Sequence, residues 1–450
     1  MVLLSLMTVG ILSPCPTTVA VPADLGSGAY LGTSIAMDGD MAVAGAPLDT
    51  GMAWAAGAVY VYRWTNESWE IEARLIADDG AIGDMLGVDV DIRGNTIIAG
   101  AWFNDHAGSN SGAAYIFERA NDGNWYQEAK LTAPDASPED SFGRTVSLGT
   151  DFCAIGSPLD DDLGATSGSI LIFDKNGDGT WSFAQKLLHP GGSAGDELGL
   201  SLAVDGQRVL GGAPWAHEGR GEIHLWERFA PGQPWIHTWF MTMASAGSPD
   251  DYFGFSLALE GDRMAAGSYR NDTAADDAGC IWTMEKVFDG WSTQQHFPPT
   301  PNVGGQFGVS LALSGDLLLV GSRFGLTDGI ASGSADVFVR DDAIWTPSHV
   351  LPAPDPVAEA EYGWGLDVEA DRALIGALGQ PSGGAVYGWR GLVMPCNCAG
   401  DIDNDGAVGV NDLLGVLENW GGEGAGDVDD SGMVDVNDLL LLIASWGDCP

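Results

Sequence analysis

The sequence FGVSLALSGDLLLVGS, residues 307–322, contains two apolar runs separated by Ser314–Asp316. The glycine of that short link can adopt a positive φ, which tight turns between antiparallel strands often require. The stretch therefore predicts a β-hairpin. Two more strand-like runs follow, Ala335–Val339 and one that begins at Trp345, so the unit as a whole predicts four strands.

The same pattern recurs seven times along the chain. Each copy opens with an aromatic residue or a leucine followed by glycine, and successive copies lie 54 to 56 residues apart. The seven glycines, called step glycines below, are Gly32, Gly87, Gly143, Gly199, Gly254, Gly308 and Gly363. A period of this length indicates a repeat architecture in which each unit covers its neighbour. We predict a mainly β fold: a seven-bladed β-propeller of four-stranded antiparallel blades over residues 24–392.

The step sequences resemble the FG-GAP repeats of bacterial extracellular proteins. Phe307–Ser322 and Leu31–Pro47 carry the resemblance, and all seven units share it, with Leu or Tyr in place of Phe in some. FG-GAP repeats are related to those of integrin α-chain propellers. The resemblance therefore implies a binding or scaffolding role rather than catalysis.

Residues 1–23 fit two interpretations. Residues 2–12 are apolar but too short for a membrane span, and small residues up to Ala20 or Ala23 could precede a cleavage site. This predicts a signal segment and an extracellular or cell-surface location. Alternatively, the β-branched run Thr17–Val21 supplies the fourth strand that the seventh unit, ending near Arg390, lacks. Cleavage after Ala20 would remove most of that strand, so both interpretations stay open.

The chain is strongly acidic, with 18 Lys and Arg against 63 Asp and Glu and a formal net charge of −45. Such a surface repels nucleic acid and anionic membranes, which excludes both as partners. No Walker or His-Glu-x-x-His motif occurs. The seven histidines occupy differing positions in their units, which predicts satisfied or exposed side chains. We therefore expect a protein that is not an enzyme.

A different pattern follows the linker 393–399. Residues 400–450 contain two acidic segments, Asp401–Asp412 and Asp427–Asp438, repeated at 26 residues. Oxygen ligands at positions 1, 3, 5, 7 and 12 with a sharp turn at position 6 are what a calcium loop needs, so we predict two bound Ca²⁺ ions. The predicted ligands are Asp401, Asp403, Asp405, Ala407 and Asp412 in the first loop, and Asp427, Asp429, Ser431, Met433, Asp435 and Asp438 in the second. The apolar runs Leu413–Trp420 and Leu439–Trp446 predict a helix after each loop.

This duplicated loop and exiting helix, with Asp at position 12, resembles a type I dockerin. The resemblance implies extracellular, calcium-dependent docking onto a cohesin-like or cell-surface receptor. Val410–Asn411 and Val436–Asn437 stand where cellulosomal dockerins carry hydroxyl residues, so a standard cohesin is not the expected receptor. The ending Trp446–Pro450 resembles the Gly-Cys variant of secreted planctomycete proteins. With that variant, a disulfide from Cys449 to Cys398 or Cys396 would clamp the two ends of the module.

The strand order also predicts where a ligand binds the propeller. In a four-stranded antiparallel blade, the links between strands two and three and between successive blades lie at one end. These links are long and variable here, and loops on a rigid scaffold are where binding residues concentrate. We call this end the long-loop face and the opposite end the short-turn face. The candidate binding residues are Asp84, Asp105, Asp140, Asp160, Asp161, Asp196, Asp251, Asp276 and Asp277.

Two functions follow as expectations. The first is a secreted, non-catalytic propeller that binds a protein or a glycan and is anchored by its calcium-loaded, dockerin-like tail. The alternative is a carbohydrate-active enzyme that degrades polysaccharides, because dockerins commonly accompany such enzymes and propellers can house glycosidase sites. A central funnel lined by convergent carboxylates with an aromatic platform would favour the alternative.

Overall fold

The computed structural model describes residues 14–288, 290–341, 343–392, 402, 407–422, 426–428, 433–444 and 447–448. The chain divides into two compact units, one of residues 18–387 and the other of residues 1–17 together with 388–450. The described part is mainly β, with three short helices. None of these helices is long and apolar enough to cross a membrane.

The repeats, numbered 1 to 7 along the chain, supply most of the strands. Strand β1 is Cys15–Val19. Repeat 1 contains β2 (Ile35–Asp38), β3 (Met41–Ala46), β4 (Ala58–Thr65) and β5 (Ser68–Leu75); repeat 2 contains β6 (Val90–Arg93), β7 (Thr96–Ala101), β8 (Ala113–Arg119) and β9 (Trp125–Leu131); repeat 3 contains β10 (Thr145–Leu148), β11 (Phe152–Ser157), β12 (Ser169–Lys175) and β13 (Trp181–Leu187).

The remaining repeats follow the same plan with small additions. Repeat 4 contains β14 (Ser201–Asp205), β15 (Arg208–Ala213), α1 (Ala216–Gly219), β16 (Glu222–Glu227) and β17 (Ile236–Thr242); repeat 5 contains β18 (Leu257–Glu260), β19 (Arg263–Ser268), β20 (Cys280–Val287) and β21 (Gly290–His296); repeat 6 contains β22 (Phe307–Ser314), β23 (Leu317–Ser322), β24 (Leu326–Thr327), β25 (Ile330–Ala331), β26 (Ser334–Asp341) and β27 (Ile344–Pro352); repeat 7 contains β28 (Tyr362–Glu369), β29 (Arg372–Ala377) and β30 (Ala385–Arg390).

Repeats 2 to 6 each form a four-stranded antiparallel sheet in chain order, and repeats 1 and 7 share an eight-stranded sheet. The order in that sheet is β2-β3-β4-β5-β1-β30-β29-β28. The first strands of successive repeats contact one another, and β28 of repeat 7 contacts β2 of repeat 1. Several four-stranded antiparallel sheets arranged in this way are consistent with a β-propeller.

Strand β1 pairs with two partners. Cys15–Thr17 runs antiparallel to Gly388–Arg390, and Thr18–Val19 runs parallel to Ser68–Trp69. The sequence predicted that Thr17–Val21 pairs with the last repeat. In the structure only Thr17 of this segment pairs with the last repeat, together with Cys15 and Pro16, whereas Thr18–Val19 pairs with repeat 1.

The apolar core lies between adjacent sheets. One buried cluster, for example, joins Val43 and Val61 of repeat 1 to Ile97 and Tyr115 of repeat 2. Each sheet therefore buries both faces against its neighbours, as the repeat period predicts.

Glycine is required where successive repeats meet. The next-to-last residue of the second strand of each repeat is a glycine that lies against the step glycine of the next repeat. A Cβ at Gly321 would lie 2.0 Å from the carbonyl oxygen of Gly363, so no side chain fits. The same relation joins repeat 7 to repeat 1, because a Cβ at Gly376 would lie 2.0 Å from the carbonyl oxygen of Gly32.

The tail, described by itself, has an internal twofold pattern. It contains β31 (Ala407–Val408), α2 (Val410–Glu418), α3 (Val436–Ala444) and β32 (Gly447–Asp448). Its buried cluster consists of Val408, Val416, Val434 and Leu442, two pairs of residues related by 26 positions. Both helices begin three residues earlier than the sequence predicted.

Candidate binding site at the central cavity

The first strands of the repeats line a cavity of about 690 Å³. Hydroxyl residues stand two positions after a step glycine in several repeats. The hydroxyl of Thr145 donates to the carbonyl of Gly199 at 2.7 Å, and the hydroxyl of Ser256 donates to the carbonyl of Gly308, also at 2.7 Å. These bonds join adjacent repeats, so the hydroxyls contribute to the cavity wall and to its rigidity.

Three aspartates also line the cavity, and each is hydrogen-bonded to a neighbouring repeat. Asp89 accepts hydrogen bonds from the Ser34 hydroxyl at 2.7 Å and from the Val146 amide at 2.7 Å. Asp91 accepts from the Leu148 amide at 2.7 Å.

Asp367 completes this set, accepting a hydrogen bond from the Met37 amide at 2.7 Å. Burial raises the pKa of Asp91 to about 6 and that of Asp367 to about 7. Carboxyl groups with raised pKa values therefore lie in the cavity, although backbone amides already occupy part of their acceptor capacity.

Two tryptophan–arginine pairs lie at one end of the cavity. The Arg144 guanidinium lies 5.1 Å from the centre of a Trp102 ring, and that of Arg323 lies 4.6 Å from a Trp364 ring. Arg323 also forms an ion pair with Glu361 at 2.7 Å. Guanidinium groups stacked on indole rings are held in fixed orientations, so this end offers rigid aromatic surface beside charged donors.

The position of these pairs identifies the end of the cavity. Trp102 directly follows β7 and Arg323 directly follows β23, while Arg144 directly precedes β10. The ends of second strands and the starts of first strands lie at the long-loop face. We call this end of the cavity, with Trp102, Arg144, Arg323, Glu361 and Trp364, the cavity mouth.

A regular backbone feature accompanies the mouth. The residue two positions before every step glycine has a positive φ between 55° and 61°. These residues are Tyr30, Met85, Ser141, Glu197, Tyr252, Gln306 and Glu361. Non-glycine residues adopt such φ values uncommonly, and here side chains of very different chemistry share one backbone geometry. The sequence analysis missed these positions, because no shared residue type marks them in the repeats.

The predicted binding aspartates fall into two groups. Asp84, Asp140, Asp196 and Asp251 are buried, and each accepts a hydrogen bond of 2.7 to 2.9 Å from the amide three residues earlier. This arrangement stabilises the loop that leads into each step glycine. Asp160 is also buried and binds Lys186 at 2.6 Å.

The other predicted aspartates, Asp105, Asp161, Asp276 and Asp277, are exposed or partly exposed on the long loops. Within the described part of the chain, none of the nine aspartates belongs to a cluster of three or more potential metal ligands. Their role in ligand binding stays a prediction.

The predicted calcium ligands are described only in part. Asp412 accepts hydrogen bonds from the amides of Ile402 at 2.6 Å and Gly409 at 2.7 Å. Asp438 accepts from Val428 at 2.6 Å and Asp435 at 2.7 Å. The two position-12 carboxylates, both buried, therefore have matching environments 26 residues apart.

Several predicted tail residues have no structural account. Asp427, Met433 and Asp435 are described, and Ala407 is described as strand backbone. Asp401, Asp403, Asp405, Asp429, Ser431, Cys396, Cys398 and Cys449 lie outside the described residues. The two calcium ions and the disulfide therefore stay predictions.

A comparison with known protein families supports the repeat assignment. The family model described as FG-GAP repeat matches residues 18–62, 69–117, 125–173 and 242–282, so the chain contains FG-GAP repeats in these stretches. A crystal structure of a protein from Lactobacillus plantarum is similar at 14% sequence identity and a TM-score of 0.48, covering 73% of this chain and 85% of that chain. No curated protein matches this sequence. The prediction of FG-GAP repeats is confirmed for these four stretches, and the dockerin resemblance stays a prediction.

Proposed function

We propose that this chain is a secreted, non-catalytic binding protein: a seven-bladed FG-GAP propeller that binds a protein or a glycan at the cavity mouth, with a calcium-binding tail that anchors it. The observation that carries the proposal is the pair of tryptophan–arginine stacks beside a cavity of about 690 Å³. Pockets of this size that combine aromatic surface with a few fixed polar groups are typical of binding sites.

Seven blades are supported by two independent features of the unit formed by residues 18–387. The first strands of the repeats contact one another in chain order, and β28 contacts β2. The close approach between Gly321 and Gly363 is repeated between Gly376 and Gly32. A contact that joins every repeat to the next, and also the last to the first, is what a closed ring needs.

The chemistry of the mouth favours a ligand with both apolar faces and hydrogen-bonding groups. Indole rings of Trp102 and Trp364 would stack on a sugar ring or an apolar side chain. Arg144, Arg323 and Glu361 would orient the ligand through hydroxyl, amide or carboxylate groups. Side chains at the positive-φ positions, such as Tyr30 and Met85, would add selectivity because they line the same cavity.

The proposal is tested by measuring the binding of the full chain to an array of defined glycans and to immobilised extracellular proteins. We expect Trp102→Ala and Trp364→Ala each to weaken binding roughly tenfold or more, since aromatic anchors in binding sites commonly contribute over ~1 kcal/mol. Phe229→Ala is the matched control, because Phe229 is exposed in the link between strands three and four at the short-turn face. Equal binding by all three variants would contradict the proposal.

The tail would supply calcium-dependent anchoring. This proposal is supported by the matching hydrogen bonds that backbone amides donate to Asp412 and Asp438. These bonds orient each position-12 carboxylate, and a calcium loop needs that carboxylate oriented toward the loop. In such a site Asp412 and Asp438 would each hold one ion, together with the oxygens of their own loops. The bound ions would neutralise part of an acidic segment and so stabilise it.

A second candidate is a carbohydrate-active enzyme, favoured by Asp91 and Asp367 in a cavity that also has Trp102 and Trp364 at its mouth. Carboxyl groups with raised pKa values are suited to act as general acids. Hydrolysis of polysaccharides by the wild-type protein, abolished in Asp367→Asn, would favour this candidate. Binding without hydrolysis on the same sugars would favour the non-catalytic function.

A further inference from the structure

Four of the seven histidines of the chain gather around one buried carboxylate in repeat 4. The carboxylate is Glu222 on β16, and His224 lies two residues further on the same face of that strand. His189 comes from the segment before β14, His217 from α1 and His237 from β17. The sequence analysis predicted no site here, because these residues occupy unrelated positions in the repeat pattern.

The side chains are in direct contact. Glu222 Oε2 lies 2.7 Å from His189 Nε2 and 3.2 Å from His224 Nε2, and Glu222 Oε1 lies 2.6 Å from His217 Nε2. The potential ligand atoms of His189, Glu222 and His224 all lie within 4.8 Å of one another. Nitrogen and oxygen ligands bound at about 2.0 to 2.2 Å in a tetrahedral zinc site are separated by roughly 3.3 Å, so small shifts would accommodate an ion.

The charge of Glu222 has no permanent counterion in the described part of the chain. Glu222 is 5% exposed, and its described ion pairs are with His189, His217 and His224 rather than with Lys or Arg. Asp196 Oδ2 lies 4.0 Å from His189 Nε2 and adds a second negative charge. A divalent cation would supply the positive charge that the described residues around Glu222 lack.

One ring nitrogen of the cluster is also unpaired. His189 Nδ1 is buried and lacks a hydrogen-bond partner among the described residues. The side chains of His189 and His224 are 7% and 2% exposed. Buried polar atoms normally have partners, so this nitrogen indicates a missing ligand.

We propose that His189, Glu222 and His224 form a binding site for a divalent transition-metal ion, with Zn²⁺ as the ion best suited to it. Imidazole nitrogens with one carboxylate are typical ligands of zinc and neighbouring metals, whereas calcium prefers oxygen alone. The site is therefore chemically distinct from the calcium loops of the tail.

The remaining two histidines have separate roles in this site. His237 Nε2 lies 3.1 Å from His224 Nδ1, so His237 fixes the ring orientation that directs His224 Nε2 toward Glu222. His217 has a 47% exposed side chain and contacts Glu222 Oε1, so the ion would enter from the side of His217. His217 and Glu218 both have positive φ values, +56° and +61°, so the turn that presents His217 is strained.

The test is isothermal titration of the chelator-treated full chain with Zn²⁺ in saturating Ca²⁺, which occupies the tail. We expect one calcium-insensitive zinc ion per chain, and affinity roughly tenfold or more weaker in His189→Ala and His224→Gln. His106→Gln is the matched control, because His106 is exposed and outside the cluster. Absence of such binding in the wild-type protein, or unchanged affinity in both variants, would overturn the proposal.

A measurement on the wild-type protein does not depend on the folding of variants. X-ray absorption spectroscopy of the protein loaded with one equivalent of Zn²⁺ reports the ligand atoms directly. We expect scattering from at least two imidazole rings. A spectrum with oxygen ligands alone would place the zinc at surface carboxylates and would overturn the proposal.

Discussion

At the scale of single residues, glycine decides how closely the repeats approach. The sequence predicted glycine in the turns, where a positive φ is needed, and Gly315 has a φ of +58°. It did not predict why the next-to-last residue of the second strand is glycine. Gly321 has no positive φ, and its requirement becomes visible only when the neighbouring repeat is placed against it. Contacts between residues distant in sequence are therefore the part of the fold that local patterns leave out.

Gly321→Ala should strongly destabilise the protein, because its Cβ would lie 2.0 Å from the carbonyl oxygen of Gly363 and the two repeats would have to separate. We expect a loss of more than ~3 kcal/mol in the free energy of unfolding, measured by denaturant titration. Gly177→Ala is the matched control, because its Cβ would meet no atom within 4 Å and its φ is not positive. Equal stability of the two variants would show that the close approach is unimportant.

The raised pKa of Asp367 leads us to expect that stability falls as the pH rises. Burial raises the pKa of this carboxyl to about 7, so the folded state binds its proton more tightly than the unfolded state does. The contribution of Asp367 to stability is therefore fully present below the unfolded pKa, near 4, and is lost as the pH rises through about 7.

The comparison that isolates this effect is between the wild-type protein and Asp367→Asn. Denaturant titrations from pH 4 to 7.5 should show a smaller loss of stability with rising pH in Asp367→Asn. Asp328→Asn, which alters an exposed side chain, should retain the wild-type dependence. Parallel curves for Asp367→Asn and the wild-type protein would contradict the raised pKa.

At the scale of elements, the four main strands of repeats 1 to 6 were predictable because alternating apolar residues and Gly-containing turns are local signals. The starts of the tail helices were less predictable. The sequence assigned Val410 and Asp412 to the calcium loop, whereas the structure places both in the first turn of α2. There Asp412 accepts the amide of Gly409, as an acidic residue in a capping box does.

The histidine cluster could not be predicted from repeat positions. Only the spacing of Glu222 and His224 places two of its side chains together, on one face of a strand. His189 and His217 join them through the segment before β14 and a strained turn, which no local pattern specifies.

Strand β1 should be needed for stability. Removal of residues 1–20 would leave the backbone edges of Gly388–Arg390 and Ser68–Trp69 without their partner. We expect a lower Tm by thermal denaturation, because unpaired backbone groups and the packing of Val19 would be lost.

A chain that begins at residue 14 is the control for this deletion, because it retains the whole of Cys15–Val19. We expect its Tm to match that of the full chain. If both shortened chains were as stable as the full chain, β1 would not be a structural part of the repeat region.

The two loops of the tail should bind calcium separately. Asp412→Asn and Asp438→Asn should each reduce the number of Ca²⁺ ions bound per chain from two to one, because each removes the position-12 carboxylate of one loop. Calorimetric titration measures this number. Glu418→Gln is a charge-matched control, since Glu418 is exposed on α2 outside both loops. Unchanged stoichiometry in both Asp variants would contradict the two-loop prediction.

At the scale of the whole molecule, the distribution of charge distinguishes the cavity mouth from the rest of the chain. The chain has a net charge of −45, and yet two of its arginines lie at the cavity mouth in contact with tryptophans. The sequence predicted the long-loop face as the binding end, with aspartates as its residues, whereas the proposed function assigns binding at that end to the tryptophan–arginine pairs. Acidic residues are frequent throughout this chain, so their presence on a loop carried little information. The tryptophan–arginine pairs were missed because Trp102 and Arg144 belong to different repeats.

The central claim is that seven blades close around a cavity whose mouth binds the ligand. The most direct test is a crystal structure of the full chain with the glycan or peptide that binds most tightly in the array experiment. The account predicts seven four-stranded blades and ligand density in contact with Trp102 and Trp364. A different number of blades, an open arrangement of repeats, or a ligand bound at the short-turn face would contradict it.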